Sequence, residues 1–128
     1  MNYIENTKAA IAFMEALPDE SVDLSDYRQT PWVDASRPCG SVACLGGWVA
    51  VMPHFQKLGV HPSRTGMPQM KNAHGEVLGA LSVSIRLFDN AWLFSARSPA
   101  GEWYGGASDR EVAIHRLKEH LKDLEKNE

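Results

Sequence analysis

Cysteine is scarce in this sequence, and so are long apolar runs, a secretory leader pattern and any strong excess of one charge. Two cysteines occur, Cys39 and Cys44. Two are too few for a disulfide-stapled scaffold, so the fold must rest on a packed core. The longest apolar stretch, residues 42–52, is about half of the ~20 residues that a membrane span needs, so no membrane partner is expected. The N-terminus carries Glu5 early and lacks a cationic segment ahead of an apolar one, so no signal peptide is expected. Both absences point to a reducing cytoplasm. The net charge of −3 is too mild to suggest a nucleic-acid binder. No internal repeat or low-complexity tract is present.

Hydrophobic residues make up 44% and charged residues 23% of the 128 positions. That balance predicts one globular domain spanning residues 1–128. The patterning predicts a mainly α fold, a bundle of about five helices with long irregular loops. Residues 2–17 carry Ile4, Ala10, Ile11, Met14 and Leu17 at three- and four-residue spacing, with Phe13 broadening the stripe. Asn2 and Glu5 form a capping box at its start, and Pro18 stops it. Ser41 is placed to cap a second helix, 42–52, which ends before Pro53. A short turn through Phe55 and Leu58 closes at Gly59, a left-handed cap. A third helix is expected at 73–81, apolar through Val77, Leu78 and Leu81. A fourth is expected at 85–94, capped by Ser84 and apolar through Ile85, Leu87, Phe88, Ala91, Trp92 and Leu93. The last begins with a Ser108/Glu111 capping box and repeats Ile114, Leu117, Leu121 and Leu124. Residues 19–38, 60–72 and 95–107 read as loops, with a short hairpin possible in 22–38 or 60–72.

The residues able to carry chemistry are few. Ala43, Gly46, Gly47 and Ala50 make a strip of small residues that lets another backbone approach closely. Cys39 and Cys44 flank the start of the same helix, where backbone N–H groups would stabilise a thiolate. They could join two of His54, His61 and His74 in a zinc site, the set Cys39, Cys44, His54 and His74 being the alternative. The gap between the cysteines departs from the usual CxxC clip, and the histidines are scattered. A buried, inert Cys44 is the plainer reading. Cys44 with His54 or His74 as base is the one catalytic pairing available; no catalytic residue, metal or cofactor is expected. His115 and His120 read as exposed.

The charges are unevenly spread. Residues 1–35 hold seven acids, Glu5, Glu15, Asp19, Glu20, Asp23, Asp26 and Asp34, against Lys8 and Arg28. Residues 36–108 hold six bases against three acids. Such an acidic segment speeds encounter with a basic surface, and loop aromatics supply the anchor that charge alone does not. The expected contact is therefore Asp19, Glu20, Asp23, Asp26 and Asp34 with Trp32, Trp103 and Tyr104, toward a protein with a basic surface.

One stretch resembles a known group. Cys39-Gly40-Ser41-Val42-Ala43-Cys44-Leu45-Gly46-Gly47-Trp48 is similar to a Cys-Gly-Thr-x-x-Cys-x-x-Gly-Trp motif in small uncharacterised helical proteins of phages, prophages and bacteria. Those proteins also share a Leu-Pro-acid step, here Leu17-Pro18-Asp19-Glu20, a helix start like Leu81-Ser82-Val83-Ser84, a Leu93-Phe94 pair and a hydroxyl-capped last helix, here from Ser108. Ser41 stands for threonine, Gly46 or Gly47 for alanine, and Val83 for leucine. The resemblance implies a helical fold in a mobile-element setting and no activity. By analogy with small phage products, it suggests a non-catalytic accessory protein that binds a host or defence protein in the host cytoplasm.

Overall fold

The computed structural model describes residues 2–22, 44–94 and 108–127. Among these, helix dominates. Five α-helices occur: α1 (Tyr3–Glu15), α2 (Leu45–Val49), α3 (Pro53–Gln56), α4 (Ala80–Phe88) and α5 (Asp109–Lys126). A 3-10 turn spans Asp19–Ser21. Three short strands, β1 (His61–Pro62), β2 (Pro68–Lys71) and β3 (Val77–Leu78), pair antiparallel in that order, so the fold is mainly but not purely helical. The registers are His61 with Gln69 and Met70 with Leu78. The β1–β2 hairpin falls within 60–72, where the turn residues allowed one; the other candidate segment lies outside the described residues.

Local capping chemistry sets both long helices. Asn2 Oδ1 accepts the Glu5 N–H at 2.9 Å, and Ser108 Oγ accepts the Glu111 N–H at 3.2 Å. The far end of α1 has no basic residue of its own, and α5 supplies one. Arg110 donates through Nε to the Met14 carbonyl at 3.2 Å and through a terminal nitrogen to the Glu15 carbonyl at 2.7 Å. A cation at a helix C-terminus satisfies carbonyls that the helix leaves open.

The centre of the chain departs from expectation. The second helix starts at Leu45, not Val42, and its N-cap is Cys44 rather than Ser41. Cys44 Sγ accepts the Gly47 N–H at 3.5 Å, so a thiol does the capping work expected of a hydroxyl. Ala50 and Val51 turn out of the helix, and Pro53 opens α3 at its first position, where a missing N–H costs nothing. Gly59 ends that turn at φ +96°, the left-handed cap expected there.

The helix expected at 73–81 is a turn and a strand. Asn72 Oδ1 accepts the N–H groups of His74 and Glu76, and Gly75 takes φ +81°. This side-chain-closed turn outcompetes helix and hands the chain to β3. The helix expected at 85–94 begins five residues early, at Ala80, and stops where Asp89 takes φ +58°. Ser84 is therefore mid-helix and buried. Its hydroxyl donates to the Asn90 carbonyl, holding the chain as it leaves α4.

Buried side chains from every helix form one contiguous cluster. Trp48, Phe55, Phe88, Met14 and Leu45 are its largest fully buried members. Phe55 and Phe88 meet edge to face at 5.5 Å, and Phe88 meets Phe94 similarly at 5.9 Å. The α1 helix packs against both α4 and α5.

Candidate functional site

The acidic N-terminal segment is partly engaged inside the fold. Asp19 lies at the start of the 3-10 turn, where its carboxylate meets Arg110 at 3.4 Å and accepts the Ser108 hydroxyl at 3.1 Å. Glu20 beside it stays exposed. Asp23, Asp26, Trp32, Asp34, Trp103 and Tyr104 lie outside the described residues. An acid already neutralised by an arginine adds less to long-range steering than an unpaired one, so Asp19 is a weaker docking residue than its exposure suggests.

The thiol and histidine candidates are not brought together. Cys44 is buried at the head of α2. His54 stands on α3, where its Nε2 meets Asn6 Oδ1 at 2.9 Å and its ring abuts Phe55. His61 and His74 are exposed, on the hairpin and on the Asn72 turn. Among the described residues no three His, Cys, Asp or Glu side chains converge where an ion could sit. The set of Cys44, His54 and His74 therefore does not assemble; Cys39 lies outside the described residues.

Two polar side chains instead lock the C-terminal end of α4. Asn6 Nδ2 donates to the Leu87 carbonyl at 2.9 Å, which leaves Asn6 Oδ1 to accept from His54 Nε2–H. His120, expected to be exposed, is half-buried, and its Nε2 donates to the Phe88 carbonyl. Asn90 Nδ2 then donates to His120 Nδ1 at 3.4 Å, while Asn90 Oδ1 accepts the Trp92 N–H at 2.8 Å. Open carbonyls at a helix end must find donors, and α1 and α5 supply them. These contacts fix how α4 is presented.

That presentation exposes what the sequence placed in the core. Because α4 begins at Ala80, its inward face is Ala80, Val83, Ser84, Leu87 and Phe88. Leu81 and Ile85, one turn apart, point outward at 56% and 49% exposure. Val77 on β3 is 56% exposed and Trp92 beyond α4 is 71% exposed. Isolated exposed aliphatics are ordinary; several large ones concentrated in residues 77–92 are a feature of interaction surfaces. Beside them runs an open groove of about 520 Å³, lined by Tyr3, Leu78, Ser82, Ile85 and Arg86. The Tyr3 and Ser82 hydroxyls and the Arg86 guanidinium have no hydrogen-bond or ion-pair partner among the described residues. No signal in the sequence marked this surface, since Leu81 and Ile85 read as core positions.

No protein-family model, curated protein or solved structure matches this chain. No helix among the described residues is long and apolar enough to cross a membrane.

Proposed function

We propose that this chain is a non-catalytic binding protein, a phage- or prophage-encoded accessory product that acts on a host or defence protein in the host cytoplasm. The mobile-element setting rests on the resemblance of residues 39–48 to the cysteine–glycine–tryptophan motif. The binding role rests on one observation, the apolar outer face of α4. Leu81, Ile85 and Val77 keep about half of their surface in water, which forfeits on the order of 1 kcal/mol for each. A partner recovers that on docking. The contact is thereby moved from the acidic N-terminal third to α4, with Glu20 and the neighbouring acids left to assist encounter with any basic rim on the partner.

The test is capture from bacterial lysate with tagged wild type and with Ile85→Asp, followed by mass spectrometry. The expected result is one protein enriched by the wild type and absent with the variant, whose melting temperature is unchanged. Equal capture by both proteins would place the interaction elsewhere.

A further inference from the structure

We infer that the groove beside α4 seats an acidic amphipathic helix of the partner protein, with a side-chain carboxylate paired to Arg86. This rests on the binding role proposed above and specifies the partner's chemistry. Two of the five residues lining the groove, Leu78 and Ile85, are aliphatic. Leu81 and Ile85 form an outward ridge at four-residue spacing, which is the row that interdigitates with the same row on a second helix. The groove volume of about 520 Å³ is enough for a few partner side chains.

Charge decides which helix fits. Arg86 is the one charged residue among those lining the groove, and it is exposed. Asp89, the left-handed cap that ends α4, makes no ion pair with it among the described residues. Glu76, which does not line the groove, accepts a hydrogen bond from Asn72 Nδ2 at 3.3 Å and forms no ion pair with Arg86. The guanidinium thus has nothing of this chain's described residues to neutralise it. A basic helix laid in the groove would bring like charges together as water is expelled. An acidic one meets a fork of donors that matches a carboxylate in two parallel hydrogen bonds. The Tyr3 and Ser82 hydroxyls add neutral donors on the same groove. The occupant therefore carries two aliphatic residues one turn apart and an aspartate or glutamate flanking them.

A display library of helical peptides, randomised along one face and panned against the protein, tests this. Enriched sequences should pair aliphatics at four-residue spacing with an adjacent acid. Arg86→Gln should weaken the selected peptides about tenfold, and Arg86→Glu should select lysine or arginine in place of the acid. Peptides lost on Ile85→Asp but indifferent to Arg86→Gln would overturn the acidic partner while leaving a binding surface on α4. Peptides indifferent to both changes, or no enrichment at all, would remove the groove as a docking site. A dimer seen by sedimentation and dissolved by Ile85→Asp would replace the foreign helix with a second copy of this chain.

Discussion

Two helices of this molecule invert what their residues suggest. The α2 helix holds the unusual ones: a capping cysteine, adjacent glycines and a tryptophan, all buried. The α4 helix holds ordinary serines, aliphatics and an arginine, yet it carries apolar groups on both sides. Packing accounts for α2. Cys44 closes the helix start, Gly46 and Gly47 sit within the core without adding bulk, and Trp48 fills its centre. Packing among the described residues does not account for the outer face of α4. Rarity of residue type thus points to structure in one helix, and misplacement of common residues marks the surface proposed for docking in the other.

The largest expected effect lies in α2. Trp48 is fully buried, touches Phe13 at a ring separation of 5.9 Å, and donates its indole N–H to the Ser21 carbonyl at 2.8 Å. Trp48→Ala removes a large buried volume and leaves that carbonyl without its indole donor. Unfolding in urea should show a loss of about 3–5 kcal/mol. A loss under ~1 kcal/mol would mean that α2 is not central to the core and would erase the contrast with α4.

A smaller effect is expected where α1 meets the end of α4. Asn6→Leu keeps the approximate size but strips the Leu87 carbonyl of a donor and His54 Nε2–H of its acceptor. Each buried polar group left unsatisfied costs about 1–3 kcal/mol, partly offset by the added apolar contact, so a net loss near 2 kcal/mol is expected. If thermal melting showed Asn6→Leu to be as stable as the wild type, the presentation of α4 would not depend on this lock.

These cases also explain which parts of the fold were legible in the sequence. The Asn2–Glu5 and Ser108–Glu111 boxes act over three residues, so their signals sit side by side in the chain. Gly59 likewise needs only its own backbone. Ser84 misled because a hydroxyl before an apolar run looks the same whether it caps that run or sits inside a helix. What decided was its bond to Asn90, together with the Asn72 turn that consumed the chain before Ala80. Nothing beside Asn6 in the chain points to its partner, which is 81 positions away. Asp19 looked like surface charge, and Arg110 is 91 positions away. The start of α4 carries no side-chain cap, since its N-cap is Gly79, so nothing local marks Ala80 as a helix start, and Leu81 and Ile85, expected on the inner faces of two separate helices, share one outward face.

The smallest effect on stability is expected on α4, and it tests the comparison from the other side. Leu81→Ser and Ile85→Ser change residues that keep about half of their surface in water, so each should lower unfolding free energy by only about 1 kcal/mol. Serine has a weaker helix propensity than leucine, a few tenths of a kcal/mol that works against the variants even on a fully solvated face. Val83→Ser on the same helix is the internal reference. Val83 is fully buried, so this change loses apolar burial and places a hydroxyl where water cannot reach it. It should cost several-fold more than either outward change. Paired urea titrations of the three variants read the difference directly. If Leu81→Ser or Ile85→Ser cost as much as Val83→Ser, the outward face would be shielded within this chain, and α4 would join α2 as a helix explained by its own packing.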